Sequence, residues 1–484
     1  VHLKLIVDGV IDGNNAGQDS YSEVAMFPNI LYRNARFIDV PVINGKTAAC
    51  WFLAFNNAED VLVSSPNIDV ERNTGRDPIH LEGANRRITI ENLTGRGGDN
   101  IVGLTINPEG TFTNTASGLM CSGDMYDINL KNITGDSLLP LVGIWGCTGY
   151  KHTSITIDGL HGITDQYAVA MYQYGGTGMN NVNGGVLNIS NVTAQTTSGV
   201  IGINGHGNWD KITLDNFDIP DPRYMLRLLQ PTGTGTIGEL HISRMKCRKT
   251  MTVSVIDLGS AAGTTVGDVL VSNIQNIDMG TTDLCQTGVS SVIGSLTFDD
   301  ITCKTTCRMY YAQGEIGPVK FNNCGLYGTT TGGLIETGAA ATVASYSFSN
   351  IWMTNGSTMC YPKNTSEVAQ IDMTNIQLTA CYAACYPLGG GVVNVSNYRD
   401  FTSMTCNPFA CPGNGKNYTY KFSNVQSVKT DLIAFTAGAL VRMVGGFTAI
   451  ANVTAPATGD MVYDVTGSKM NIRNSGATWS TLNT

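Results

Sequence analysis

The sequence predicts an all-β chain folded as a right-handed parallel β-helix, a solenoid of stacked coils, with a small β cap at its C-terminal end. Three observations predict it. A short strand phrase ending in Asn or Asp recurs along the chain. In the second half those Asn and Asp residues recur about every two dozen positions. Charged residues make up only 14% of the 484, while glycine numbers 56, which leaves too few Lys and Glu to cover the outer faces of long amphipathic helices.

The phrase is apolar, any, apolar, any, Asn or Asp, apolar. It reads Ile88-Thr-Ile-Glu-Asn-Leu93, Ile128-Asn-Leu-Lys-Asn-Ile133, Leu187-Asn-Ile-Ser-Asn-Val192 and Ile371-Asp-Met-Thr-Asn-Ile376, with a shortened form at Phe298-Asp-Asp-Ile301. Residues 346–351 and 420–425 repeat it with an aromatic start. Alternation with period two marks a strand with one buried face, and the Asn marks a bend. Asp300, Asn323, Asn350 and Asn375 lie 23, 27 and 25 positions apart, as expected of a repeat with a constant core and loops of variable length. Propeller blades of four strands would need periods near about forty residues.

After each bend comes a short polar turn and a second strand, as in Pro78-Ile-His-Leu-Glu82, Ile101-Val-Gly-Leu-Thr105, Leu141-Val-Gly-Ile-Trp145 and Val200-Ile-Gly-Ile203. Two or three strands per coil, each paired in parallel with the coils above and below, satisfy the backbone while like side chains stack inside. Residues 1–29 read as an N-terminal cap, 30–425 as the β-helix carrying any ligand site, and 426–484 as a C-terminal cap or oligomerisation region. Within the last segment, Gly459-Asp-Met-Val-Tyr-Asp464, Met470-Asn-Ile-Arg473 and Trp479 read as two or three hairpin strands.

A net charge of −9 provides no basic excess to neutralise phosphates, which argues against nucleic acid or an anionic membrane as partner. No uninterrupted apolar run reaches the length of a membrane span, so membrane insertion is not expected. Val1 to Gly9 lacks the charged start and small-residue cleavage site of a signal peptide, and a chain opening on Val reads as a fragment or processed form. The thirteen cysteines lack zinc-ribbon spacing and read as reduced interior thiols rather than disulfides. With six scattered histidines and no cluster of hard oxygen ligands, the chain is expected to work without a metal or other cofactor.

The densest polar stretch is Asn73-Thr-Gly-Arg-Asp-Pro-Ile-His-Leu-Glu82, answered one coil later by Gly97-Gly-Asp-Asn-Ile-Val-Gly-Leu104. Asp77 and Asp99 are 22 positions apart. A parallel stack places them on one face, one strand spacing apart, roughly 5 Å between the backbones of adjacent coils. Two such carboxylates suit glycoside hydrolysis, one protonating the leaving oxygen while the other activates water or attacks the anomeric carbon. His80 and Glu82 are further catalytic candidates, with Arg76 and Asn100 beside them as substrate contacts. The competing reading makes Asp77 and Asp99 turn formers that bond their own backbone.

Trp145 and Tyr172 end equivalent strands on successive coils, with Tyr167 and Tyr174 nearby and His206, Trp209 and Asp210 one coil on. Flat rings in a row suit the apolar faces of sugars, so Trp145, Tyr172, Tyr174 and His206 join the binding candidates. An interior aromatic ladder is the alternative. Pro108 to Gly123 has no strand pattern and is expected to flank the cleft beside Asp99.

On these residues the chain resembles the pectate-lyase-like β-helix superfamily, most closely its polygalacturonase-like branch. Asp77, Ile79 and His80 match one phrase of that branch, and Gly98, Asp99, Val102 and Leu104 match a second. The resemblance implies a hydrolase whose acids are Asp77 and Asp99. It departs at Asn100, where the branch has a second Asp, and at Gly205-His-Gly207, which falls several coils late. The segment from Pro456 to Leu482 resembles the ends of bacteriophage tail fibres and tailspikes. That likeness implies a homotrimer on a virion tail, acting on a bacterial surface polysaccharide such as capsule or lipopolysaccharide O-antigen. The functional expectation is therefore an endo-acting glycoside hydrolase, a depolymerase. The alternatives are a polysaccharide lyase using His80, Tyr172, Arg76 or Arg223, a non-catalytic glycan-binding adhesin, and a secreted microbial enzyme acting on plant polysaccharide.

Overall fold

A computed structural model describes residues 3–4, 9–13, 28–48, 50–72, 75–106, 122–147, 149–173, 182–204, 207–220, 226–229, 235–247, 250, 253–259, 264–305, 308–328, 333–363, 365–387, 391–404, 417–427, 440–445, 461–464, 469–473 and 479–482. Among these residues all regular structure is β, with no helix. They group into two compact units, one of Val1–Lys249 with Val255–Asp268, the other of Thr250–Ser254 with Val269–Thr484. Each unit is a parallel β-solenoid, the fold class the sequence predicts.

In the first unit the longer sheet runs through Glu59–Ser64, Arg86–Glu91, Tyr126–Ser137, Lys151–Thr164, Asn183–Thr196, Asn208–Ile219 and Gly235–Cys247, all paired in parallel. Register stacks like on like: Ile88 on Ile128, then Ile155, Leu187, Ile212 and Leu240. All six are buried. The second sheet runs through Leu53–Asn56, Ile79–Glu82, Val102–Thr105, Val142–Gly146, Tyr167–Gln173 and Gly199–Asn204, and these are the second strands read from the sequence. Its inward columns are Leu53, Ile79, Val102, Val142, Val169 and Phe55, Leu81, Leu104, Ile144, Met171. The alternate residues form the outer columns.

The Asn-terminated phrase has a conformational cause. Asn92, Asn132, Asn191, Asp300, Asn350 and Asn375 hold φ between 52° and 57°, left-handed backbone that costs most side chains roughly 1–2 kcal/mol and that Asn and Asp tolerate best. Their side chains also pair along the stack. Asn132 Nδ2 donates to Asn92 Oδ1 at 3.1 Å in the first unit; in the second, Asn350 donates to Asn323 at 2.9 Å and Asn375 to Asn350 at 2.7 Å.

The second unit stacks Val292–Thr305, Glu315–Gly328, Thr342–Thr354, Glu367–Thr379 and Val392–Met404 in parallel. Phe298, Phe321 and Phe348 lie over one another inside it, with centroids 4.7 and 5.2 Å apart. The described cysteines are free thiols, all buried except the half-buried Cys247. Burial pushes the Cys147 thiol up to about 11 and those of Cys247 and Cys324 up to about 12, which keeps them protonated and inert.

Parallel pairing extends past the boundaries drawn from the sequence. Leu3–Lys4 pairs with Arg36–Val40, Val10–Asp12 with Ile43–Lys46, and Asn417–Ser427 with Leu440–Gly445. The expected hairpin strands are Met461–Asp464, Lys469–Arg473 and Trp479–Leu482, an antiparallel sheet.

Asn350 both donates and accepts in its ladder. Asn350→Ala should therefore destabilise the second unit by about 2 kcal/mol, combining two partly exposed hydrogen bonds with the left-handed penalty. Asn350→Gly should lose less, because glycine relieves the backbone term. Equal losses in denaturant titrations would contradict this account.

Candidate functional site

The polar site lies in the first unit, where the turn before Ile79–Glu82 meets the turn before Val102–Thr105. Register pairs Ile79 with Val102, so the position above Asp77 is Asn100, with Asp99 one residue earlier. The backbone N–H groups of Gly98 and Asp99 both donate to the Arg76 carbonyl at 3.0 Å. The Asp99 carbonyl in turn accepts from Ser137 Oγ at 2.5 Å and from the Leu139 N–H at 3.2 Å. Asp99 is thus pinned from the coils on both sides.

Asp77 is 1% exposed. Its Oδ1 accepts the Asn100 backbone N–H at 2.7 Å and the Asn100 amide at 3.3 Å, and its Oδ2 lies 2.7 Å from His80 Nδ1. The same Asn100 Nδ2 donates to Asp99 Oδ1 at 3.1 Å. One amide therefore holds both carboxylates. Burial first, then the negative charge of Asp77, push the Asp99 carboxyl up to about 8, against a smaller opposing pull from the Asn100 amide. Burial disfavours the charged form of Asp99, and the charge of Asp77 adds to that effect.

His80 is clamped between neighbouring coils. The Trp51 ring stacks on it with centroids 3.7 Å apart and planes 6° from parallel. On the other side lies Gly103, its register partner; a Cβ there would come within 2.5 Å of His80 Nδ1 and 2.7 Å of Asp77 Oδ2. His80 Nε2 and Asn100 Oδ1 are both buried without a hydrogen-bond partner, an uncommon state for polar atoms.

Trp145 is half-buried. Its ring lies across Gly143, where a Cβ would come within 2.3 Å of Trp145 Cη2 and 2.4 Å of Asn100 Oδ1, so the indole reaches back toward the acid pair. The imidazole of His152 bonds the Trp145 carbonyl through Nε2 at 3.0 Å, and burial drops its own pKa to about 4. That neutral ring anchors the Trp145 backbone.

Of the residues singled out in the sequence, Asp77, His80, Asp99 and Asn100 come together directly, and Arg76 supplies the carbonyl that holds the second turn. The Arg76 guanidinium pairs with Glu71 at 3.2 Å. Glu82 is fully buried on the outer column Asn56, Glu82, Thr105, Trp145, Tyr172. Trp145 and Tyr172 are in register, as the sequence predicts, but the Tyr172 side chain lies outside the described residues. Tyr174, His206 and residues 107–121 of the expected flanking loop lie outside them too. Sequence reasoning missed Trp51, Gly103, Gly143 and His152. The repeated Gly between two apolar residues at 103, 143 and 202 was the available signal for the small column on which these rings rest.

Among the described residues no group of His, Cys, Asp and Glu could hold a metal ion, and no helix is long and apolar enough to cross a membrane. No known protein family matches this sequence, and no curated protein does either.

Two predictions follow from the packing and charge of the site. Gly103→Ala should destabilise the first unit by roughly 1–3 kcal/mol, because the methyl group has no room beside the His80–Asp77 pair; an unchanged denaturation midpoint would refute that packing. For Asp99, the folded chain keeps a proton that the unfolded chain has released, since the free carboxyl titrates near 3.8 and the folded one near about 8. Stability is then lost as pH rises between those values. Asp99→Asn should therefore raise the melting temperature at pH 9, with the difference vanishing toward pH 4. Calorimetry at several pH values measures both.

Proposed function

We propose that the chain is an endo-acting polysaccharide depolymerase of the glycoside hydrolase type, with Asp99 as its general acid. The supporting observation is the carboxylate pair from successive coils, joined by one amide, in which burial and the neighbouring charge push the Asp99 carboxyl up to about 8. A group protonated at neutral pH and able to lose that proton is what the leaving oxygen of a glycosidic bond requires. As the bond from that oxygen to the anomeric carbon breaks, the Asp99 proton passes to the oxygen; water then bonds to that carbon through its oxygen and gives up a proton that restores the Asp99 carboxyl. The negative charge of Asp77 favours the positive charge growing on the sugar ring. Trp145, beside Asn100, offers an apolar face to an adjacent sugar.

A second reading, β-elimination from a uronate chain, draws support from His80. Its ring is aligned by Asp77 at 2.7 Å and by Trp51, and its buried far nitrogen would have to swing outward to reach a carbon-bound proton. A polymer of bacterial capsule or O-antigen, a homotrimer and a place on a virion tail are the further parts of the proposal, and they rest on the tailspike-like phrase from Pro456 to Leu482.

The test is incubation with purified capsular polysaccharides and O-antigens, with products read by mass spectrometry. Hydrolysis yields new reducing ends alone, whereas elimination adds the ultraviolet absorbance of an unsaturated uronate. Asp99→Asn should lower cleavage by about 10²–10⁴-fold, and parent activity should fall as pH rises through about 8, where Asp99 loses its proton. Full activity in Asp99→Asn would remove the assignment. A single species in sedimentation at the mass of one chain would remove the trimer.

A further inference from the structure

The second unit carries a different polar cleft on the outer face of its shorter sheet. Register aligns Gln286, Tyr311, Glu336 and Tyr361 in one outer column. Cys360 pairs with Cys385, which extends the column to Tyr386, whose ring stacks on Tyr361 with centroids 5.7 Å apart. The inner partners Tyr310, Ile335, Cys360 and Cys385 are buried, so the core fixes the spacing of the outer column.

Glu336 sits between the tyrosines and is held from both sides. Its Oε2 lies 2.7 Å from Arg308 and its Oε1 2.9 Å from Lys363. Arg308 also grips Asp283 through two bonds of 2.8 and 3.0 Å and covers the Tyr311 ring at 4.3 Å. Lys363 lies over Tyr361 at 4.9 Å. Beside this network opens a cavity of about 220 Å³, lined by Arg308, Glu336, Thr358, Tyr361 and Lys363 among others.

The charges of the network cancel, two cations against two carboxylates. An anionic ligand would have to pull Arg308 or Lys363 away from a carboxylate that already holds it, and a cationic ligand would face the converse. A neutral ligand rich in hydroxyls meets no such barrier. Its hydroxyls can donate to the remaining lone pairs of Glu336 and accept from the cations, while an apolar ring face lies on Tyr361 or Tyr386. We propose that this cleft binds neutral pyranose units of a polysaccharide, packed against the aromatic pair Tyr361 and Tyr386, with Glu336 as the hydrogen-bonding centre. The proposal does not depend on cleavage at Asp99.

Affinity electrophoresis of the full chain tests it, in gels containing dextran, yeast mannan, galactan or polygalacturonate. At least one neutral polymer should retard the protein. Tyr361→Ala and Glu336→Gln should each weaken that retardation at least tenfold, Tyr361→Phe should keep it because the ring remains, and Asp99→Asn should leave it unchanged. Circular dichroism melts check that each variant is folded, and should Tyr361→Ala fail to fold, Glu336→Gln carries the test. Retardation by polygalacturonate alone, by none of the four polymers, or equally in parent and Glu336→Gln would overturn the site. Loss of retardation in Asp99→Asn with retention in Tyr361→Ala would move binding to the first unit and overturn it as well.

Discussion

Parallel register is the constraint on which everything else in each unit depends. A side chain in one coil must sit above its counterpart in the next, about 4.8 Å away along the stack, and the chain must turn out of its strand at the same point each time. The left-handed Asn performs that turn and hydrogen-bonds to the Asn of the neighbouring coil. Loops can then vary in length without disturbing the columns, because each strand re-enters in register after its bend. Chemistry built on such a scaffold is inevitably distributed: groups that touch come from different coils, 23 to 27 residues apart in the chain.

Asn100 illustrates how register and charge act together. As a departure from the polygalacturonase-like phrase it looked like a lost carboxylate. In the structure its backbone N–H and its side-chain amide both donate to Asp77, and that amide also donates to Asp99. An aspartate in its place would remove the shared donor and add a second negative charge beside Asp77 in a buried cluster. The amide lets two acids approach each other while only one remains charged. The raised Asp99 carboxyl follows from burial and from the charge of Asp77, which outweigh the opposing pull of that amide.

Strand phrases, Asn bends, the register of Trp145 with Tyr172 and the clustering around Asp77 were legible in the sequence because each is a local pattern repeated along the chain. The one-residue offset was not. The separation of Asp77 and Asp99 was close enough to one coil to suggest direct opposition, and only the pairing of Ile79 with Val102 shows that Asn100 occupies that place. Trp51 escaped notice because its partner His80 lies on the next coil and no motif links them. Arg308, Glu336 and Lys363 escaped for the same reason, being unremarkable residues until register gathers them. The glycines at 103 and 143 read as ordinary strand glycines, although their missing Cβ atoms make the floor on which His80 and Trp145 rest.

The two polar sites differ in a way that separates binding from proton transfer. Around Glu336 every charge has an opposite within hydrogen-bonding distance, so the cluster is electrostatically closed and can offer hydrogen bonds without changing its protonation. Around Asp99 the balance is left open: Asp77 is answered by an amide and a histidine, and burial keeps a proton on its neighbour. A closed network gains nothing from giving up a proton, whereas an open one can pass it to a substrate oxygen and regain it from water. Each network is thus suited to a different task, the closed one to offering hydrogen bonds and the open one to moving a proton.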